Sequence, residues 1–144
     1  MDAGFDPRKM TLVGISGWLN PRSELEYCRD HGITVIWLEE IWERGTRWAV
    51  ERALEVSGSP DGIYLSFDID ALDLAYAVGT CAPTACGLTS REAVELTRGI
   101  AGHGLCGFDL VEVAPTLDPS VATSLMGNRI VLDALAFHGG AGRR

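Results

Sequence analysis

An apolar run that ends in carboxylates constrains this chain more than any other feature. Residues 63–73 read IYLSFDIDALD, and the aliphatic and aromatic residues at the start favour a strand. Because side chains alternate faces along a strand, we expect Ser66, Asp68 and Asp70 to point the same way. Carboxylates this close at the edge of an apolar core repel each other unless a cation or several donors neutralise them. The stretch, which Asp73 closes, therefore predicts a metal site, and a strand that runs into a solvated acidic turn is the plainer alternative.

Composition narrows the classes of protein to consider. The chain has 144 residues, 47% of them hydrophobic, which suffices for the core of one domain or of part of one. Its net charge of -8 argues against nucleic-acid binding, which needs clustered Lys and Arg. No window reaches the length of a membrane span, and the amino terminus lacks the apolar stretch of a signal peptide. We therefore expect a cytoplasmic protein with neither nucleic acid nor membrane among its partners.

The four cysteines do not form the paired C-x-x-C sets of a zinc module. In a reducing compartment we expect Cys28, Cys81, Cys86 and Cys106 to be free thiols. The spacing of Cys81 and Cys86 leaves open the alternative that these two thiols bind one metal ion.

Strand and helix patterns alternate along the chain. Glycine, proline and polar clusters separate them, and the capping box formed by Thr89 and Glu92 marks one helix start, so Glu92 is a supporting residue. Four strands separated by helices predict an α/β fold with a mostly parallel sheet. Ligands of such sheets bind beyond the carboxyl ends of the strands, where Asp68, Asp70 and Glu112 are expected. The predicted strands are 11–15, 34–38, the run that begins at 63, and 105–113; the predicted helices are 20–31, 46–57, 89–101 and 120–137.

A long segment, 71–88, separates the acidic strand from the next helix. It is rich in Gly, Pro, Thr and Cys and shows no periodic pattern. Loops of this length in compact domains are usually functional. We therefore expect the segment to line a site.

Three ordered blocks carry a family resemblance. SFDIDALD, then GTCAPTACGLTSRE, then GFDLVEVAP resemble the carboxyl-terminal half of the ureohydrolase family, which includes arginase, agmatinase and guanidinobutyrase. The opening VGISGWLNPRSELEYCRDHGI is similar to the agmatinase-like branch. The resemblance implies that residues 1–144 form a single partial domain of a three-layer α/β/α fold. It also implies two Mn²⁺ ions, with Ni²⁺ as the alternative, and hydrolysis of a guanidino compound to urea and an amine.

The resemblance assigns roles to individual acids. Asp68 matches the carboxylate that bridges the two metal ions, and Asp70 matches a ligand of one ion. Asp73 matches a third acid, which is a supporting residue rather than a ligand. Glu112 matches the acid that faces the guanidinium of the substrate. From the residues alone, an ion pair at a strand end is the alternative for Glu112.

The chain departs from the family pattern around the proposed site. Leu74 stands where relatives usually have Pro, and Cys81, Ala82 and Cys86 replace small residues of a glycine-rich loop. Replacing Gly removes easy access to positive φ, so we expect this loop to be reshaped. The identity of the guanidino substrate is therefore left open.

Other parts of the family pattern are missing. Relatives take further metal ligands from an earlier DAHxD-like block and another His, and neither occurs here. His31, His103 and His138 lie at a helix end, between glycines and in the tail, where no ligand role is expected. The chain thus resembles half of a site. The resemblance also implies that a strand of the missing half lies between this chain's third strand and its first, so two parallel strand edges are expected to lack a partner here. It is predicted to work as a homo- or hetero-oligomer with a chain that supplies the missing half, and the alternatives are a truncated product or a non-catalytic subunit that binds a full-length relative.

A phosphatase of the haloacid-dehalogenase type is a further alternative, because its nucleophile also lies in a DxD after a strand. In that class a Thr or Val usually follows the second Asp by two positions, where this chain has Leu72. The difference favours the ureohydrolase interpretation.

Overall fold

The predicted alternation of strands and helices is confirmed in a computed structural model, which describes residues 4–17, 20–59 and 61–140. Predictions for Pro60 and for the tail beyond residue 140 lie outside the described residues. None of the described helices is both long and apolar enough to cross a membrane. The elements are β1 (Thr11–Ile15), α1 (Arg22–His31), β2 (Thr34–Trp37), α2 (Leu38–Ser57), β3 (Ile63–Asp68), α3 (Ser90–Ala101), β4 (Leu105–Val111) and α4 (Ala122–Phe137).

Local chemistry explains where helices begin and end. Gly32 ends α1 in the left-handed conformation, with φ of 70°, which glycine adopts without steric cost. At the start of α3, the Thr89 hydroxyl accepts the Glu92 amide at 3.2 Å, and the Glu92 carboxylate accepts the Thr89 amide at 2.8 Å. The predicted capping box is therefore confirmed.

The predicted break at Gly45 is confirmed, but helical structure also precedes it. Gly45 has a non-helical backbone, with φ of 85° and ψ of 162°, so α2 consists of two helical segments that meet there. The first segment, which was not predicted, begins at Leu38, and β2 accordingly ends at Trp37. The Glu40 carboxylate accepts the Trp37 amide at 3.1 Å and caps the first turn of this segment.

The strands form two separate parallel pairs, and the gap lies between the first strand and the third, where the family resemblance implies a strand of the missing half. β1 pairs with β2, and β3 pairs with β4. Among the described residues no strand links β1 to β3, and a cavity lies between them. The alternation of elements specifies parallel pairing, but it cannot specify which strands are adjacent.

The helices hold the two sheets together. α2 packs on β1 and β2, α3 packs on β3, and α2 and α3 pack on each other. One core cluster therefore spans both sheets, and a second lies beneath β3 and α4. The first contains Ile36, Leu38, Ile41, Ala49, Ala53, Ile63, Leu88, Leu96 and Ile100, and the second contains Phe67, Ile69, Leu72, Ala77, Ala93 and Ile130.

Candidate metal and substrate site at the carboxyl ends of the second sheet

The acidic stretch turns earlier than the strand pattern predicts. β3 ends at Asp68, and residues Ile69–Ala71 form one turn of 3-10 helix. Asp68 Oδ1 accepts the Asp70 amide at 2.9 Å, which caps this turn. Ser66, Asp68 and Asp70 line the same cavity, as predicted, but strand alternation explains only the placement of Ser66 and Asp68. The turn positions Asp70 instead.

Asp70 is the more buried of the two candidate ligands. Its carboxylate accepts a hydrogen bond from the Thr80 hydroxyl. Burial, then the charge of Asp68, then that of Glu112 raises the pKa of Asp70 to about 6, although a hydrogen bond from the Ala82 amide opposes the rise. Asp70 is thus near enough to both Asp68 and Glu112 to feel their charges, although Glu112 is distant in sequence.

Glu112 directly follows β4. Our prediction extended this strand to Val113, but it ends at Val111 because Glu112 adopts a φ of 64°, which cannot continue a strand. Left-handed backbone is uncommon for a residue with a side chain and clusters at functional positions. The Glu112 side chain is exposed, and none of the ion pairs among the described residues involves it, Asp68 or Asp70.

Asp73 anchors the long loop. Its carboxylate accepts the Ala75 amide at 2.8 Å and the Gly87 amide at 3.2 Å, and these amides lower its pKa. Its backbone bridges to Thr84 across the loop. The two oxygens are therefore engaged within the loop, and the supporting role of Asp73 stays a prediction. Glu92 contributes to the same region by fixing the start of α3 directly after the loop.

Sequence reasoning missed a buried network behind the site. The Thr123 hydroxyl donates to Asp118 at 2.8 Å and accepts the Gly79 amide at 2.9 Å. Gly79 precedes Thr80, which donates to Asp70, so the network joins the start of α4 to a candidate ligand. The Asp118-Pro-Ser sequence is a local turn signal that could have indicated a cap. No local signal reports the contact with Gly79, 44 positions away.

The structure contains no disulfide bond between the four cysteines. All four are free, with Cys28 buried and Cys81, Cys86 and Cys106 exposed. Cys86 has a φ of 57°, the left-handed conformation that favours glycine.

The three histidines contact backbone groups of their own surroundings. Each has a ring nitrogen within hydrogen-bond distance of a backbone group: His31 contacts the Tyr27 carbonyl, His103 the Ser59 carbonyl, and His138 the Leu105 amide.

The donor set fits a metal ion only in part. Asp68 and Asp70 supply the hard oxygen ligands that suit Mn²⁺. Within residues 4–17, 20–59 and 61–140, however, no group of three or more His, Cys, Asp or Glu side chains is placed to hold an ion. Because two metal ions need several ligands in fixed geometry, these residues form an incomplete metal centre.

Comparisons with known proteins agree with the resemblance. A model described as the Arginase family matches residues 1–136. Mitochondrial agmatinase of Gallus gallus is 39% identical over 137 residues, which cover 94% of this chain and 40% of that protein. Guanidinopropionase of Pseudomonas aeruginosa is 38% identical over 133 residues, which cover 92% of this chain and 42% of that protein.

A solved structure shares the fold. Proclavaminate amidino hydrolase from Streptomyces clavuligerus matches with a TM-score of 0.86 and 36% identity, over 95% of this chain and 45% of that chain. This confirms the predicted arginase-like α/β fold and its partial extent. The chain spans about two fifths of the length of the curated relatives it matches. Since the family model matches nearly all of it, this chain belongs to the arginase family.

Proposed function

We propose that this chain is the part of an agmatinase-like ureohydrolase that carries two metal-binding carboxylates and one substrate-binding acid. The complete enzyme hydrolyses a guanidino compound to urea and an amine. The convergence of Asp68, Asp70 and Glu112 at the carboxyl ends of β3 and β4 carries this proposal. A half-buried carboxylate that two other carboxylates approach is the arrangement expected of a site that gains cations.

Each acid has a distinct part in the proposal. Asp68 and Asp70 hold the binuclear metal centre, with Mn²⁺ expected and Ni²⁺ as the alternative. Divalent ions held there would supply the Lewis acidity that activates water for hydrolysis of a guanidinium group. Glu112 is exposed and orients the substrate guanidinium through charge-assisted hydrogen bonds.

The centre needs ligands from outside this chain. The incomplete donor set and the greater length of the relatives both favour a second polypeptide segment that completes it. We therefore propose a homo- or hetero-oligomer in which another chain supplies the missing half. The compartment, for which the sequence predicts the cytoplasm, stays a prediction.

A non-catalytic subunit that binds a full-length relative is the second candidate. The observation in its favour is again that the described residues hold no complete ligand group. In that case the full-length partner would keep its activity when the acids of this chain are replaced.

The test is reconstitution. This chain is co-expressed with the part of Gallus gallus agmatinase that lies outside the 137 matched residues, and Mn²⁺ is supplied. Urea release is measured with agmatine, guanidinopropionate and guanidinobutyrate, and bound metal is measured by elemental analysis.

Two variants make the test specific. Asp68→Asn should lower both metal content and urea release, the latter at least about a hundredfold. Asp109→Asn is the matched control, because Asp109 lies on the neighbouring strand but accepts hydrogen bonds from the Tyr64 and Ser66 hydroxyls. Urea release by this variant should stay within about threefold of that of the unaltered protein. Urea release that survives in Asp68→Asn would refute the proposed function.

A further inference from the structure

A smaller cavity, of about 290 Å³, opens next to the cavity between β1 and β3. The end of β1, the start of α2 and the long loop form its walls. Ser16 lines both cavities, and Asp68 and Asp70 line the larger one. The residues that line the smaller cavity are Ser16, Leu38, Glu39, Trp42, Ala85 and Cys86. The smaller cavity is therefore a side extension of the candidate site.

The smaller cavity lies within reach of a molecule bound at Asp70. The Ala82 amide donates a hydrogen bond to Asp70, and Ala85, three residues later, lines the smaller cavity. Three residues of extended chain span at most about 11 Å, so the two alanines are no farther apart than that. One small molecule of similar length can therefore contact Asp70 and enter the smaller cavity.

Glu39 is available to bind a ligand in this cavity. Among the described residues that line the smaller cavity, it is the only charged one. Its side chain is exposed and takes part in none of the ion pairs between described residues. The first turn of α2 does not depend on it, because the Glu40 carboxylate caps that turn. The Glu39 carboxylate therefore has no structural partner that a ligand would displace.

The Trp42 ring adds a surface for a cation. Trp42 follows Glu39 by three positions, which brings their side chains to the same side of the helix. Its side chain is 51% exposed. The cation–π contacts among the described residues use the rings of Trp48 and Phe137, so neither places a cation over Trp42. A carboxylate beside an indole ring attracts ammonium and guanidinium groups.

The charge of the lining selects against other ligands. Lys and Arg are absent from the described residues that line either cavity. A carboxylate in the smaller cavity would therefore meet Glu39 without a counter-ion, and like charges at that distance repel. An uncharged alkyl group would fill the volume but gain nothing from the Glu39 carboxylate. A cation is the ligand that both Glu39 and Trp42 favour.

We propose that the smaller cavity binds a cationic group at the far end of the guanidino substrate, with Glu39 as its ion-pair partner and Trp42 as the ring that packs against it. Glu39 is then a specificity-determining residue, which distinguishes a substrate that ends in an ammonium from one that ends in a carboxylate or a methyl group. This assignment rests on the proposed function, which puts the guanidinium of the substrate beside Asp70 and Glu112.

Paired probes isolate the contribution of the far end of the substrate. Agmatine ends in an ammonium, and pentylguanidine has the same length but ends in a methyl group. NMR titration measures the affinity of each probe for the purified chain. Agmatine should bind at least about tenfold more tightly than pentylguanidine, because only its end gains the ion pair and the cation–π contact.

Three variants test the assignment to Glu39. In Glu39→Gln the ratio of the two affinities should fall at least about fivefold. In Glu39→Lys, guanidinobutyrate, which ends in a carboxylate, should bind at least about fivefold more tightly than it binds the unaltered chain. Glu43→Gln is the matched control, because Glu43 is exposed on the same segment of α2 but lines neither cavity. Its affinity ratio should stay within about twofold of that of the unaltered chain. Circular dichroism checks that each variant is folded.

The reconstituted enzyme connects the smaller cavity to the reaction. In Glu39→Gln, kcat/KM for agmatine relative to pentylguanidine should fall at least about tenfold, through a higher KM for agmatine. Loss of a contact that is equally strong in the bound substrate and in the transition state acts on KM in this way. A general loss of activity would lower kcat for both compounds instead.

Three results would overturn the proposal. They are failure of agmatine to bind more tightly than pentylguanidine, an affinity ratio that Glu39→Gln leaves unchanged, and an equal fall of the ratio in Glu43→Gln, which would reflect the net charge rather than the cavity. Preference for agmatine that depends on Glu39, without urea release by the reconstituted complex, would refute the proposed function and leave the cation site standing. Urea release with an unchanged ratio would do the reverse.

Discussion

The Thr123 hydroxyl is expected to stabilise the fold by linking α4 to the loop behind the candidate site. The side chain is fully buried, and its hydroxyl donates to Asp118 at 2.8 Å and accepts the Gly79 amide at 2.9 Å. Thr123→Val keeps nearly the same shape but removes both hydrogen bonds. The substitution therefore isolates the polar link from packing.

The expected loss of stability follows from the two hydrogen-bond partners of the Thr123 hydroxyl. A hydrogen bond to a charged carboxylate is worth about 1.5–3 kcal/mol. The Gly79 amide would also lose its partner in a buried position, which costs about 1–3 kcal/mol before any rearrangement. Because the loop can relax in part, we expect the free energy of unfolding to fall by about 2–4 kcal/mol.

Urea denaturation followed by tryptophan fluorescence measures this change. With an m-value of about 1–3 kcal/mol per molar, the midpoint should fall by about 1–2 M. Thr123→Ser is the matched control, because it keeps the hydroxyl and loses one methyl group, at about 1 kcal/mol. If the Val variant is as stable as the Ser variant, the hydroxyl does not stabilise the fold as argued.

Acid titration provides an independent check on the same network. Hydrogen bonds from the Ser120 hydroxyl and from the Thr123 amide and hydroxyl lower the pKa of Asp118 from 3.8 to about 2. An acid with a depressed pKa stabilises the fold above its unfolded pKa and loses this contribution as pH falls through the folded value. Stability should therefore decline between pH 4 and pH 2, and this decline should be shallower in Asp118→Asn.

Three further predictions concern the site and its loop. Since the pKa of Asp70 is raised from 3.8 to about 6, ionisation of Asp70 destabilises the metal-free fold, and this cost is absent below about pH 4 and complete above about pH 6. With a chelator present, Asp70→Asn should therefore be more stable than wild type by about 1–3 kcal/mol at pH 8 and no more stable at pH 3.5. Equal stability of the two proteins at pH 8 would contradict this prediction. Gly87→Ala should destabilise the chain by at least about 3 kcal/mol, because the new Cβ would lie 2.4 Å from a backbone nitrogen. In Gly127→Ala the new Cβ would lie 2.9 Å from the movable end of a leucine side chain, so stability should change by less than about 1 kcal/mol. Thermal melting curves compare the two variants. Leu72→Ala should lower the free energy of unfolding, measured by urea denaturation, by about 2–5 kcal/mol, because the Leu72 side chain is fully buried. Leu74 is 46% exposed, so Leu74→Ala should lower it by less than about 0.5 kcal/mol. Similar losses in the two variants would contradict the packing of the loop.

Features that depend on neighbours in sequence were predicted well. β1 has its predicted bounds, and the predicted capping box marks the start of α3. Both signals arise from interactions within a few residues, namely apolar runs and side chains that bond to nearby amides. The error in α2 has a local cause as well, because Glu40 reads as part of a loop until its bond to the Trp37 amide is seen.

Features that depend on distant contacts were not predicted. Strand alternation gave the wrong reason for the position of Asp70, which a turn and the Thr80 hydroxyl hold instead. The raised pKa of Asp70 depends in part on Glu112, from a different strand. The network of Asp118 and Thr123 was not expected at all.

The sequence by itself determined the order and type of the elements, the family, and the placement of acids at two strand ends. It could do so because hydrophobic period, capping and motif spacing are local properties of the chain. Only the tertiary structure decided that a turn and the Thr80 hydroxyl hold Asp70, and that Glu112, from another segment, comes near enough to raise the pKa of Asp70. Those features follow from which surfaces pack together, since residues far apart in sequence become neighbours only when α2, α3 and α4 assemble against the strands.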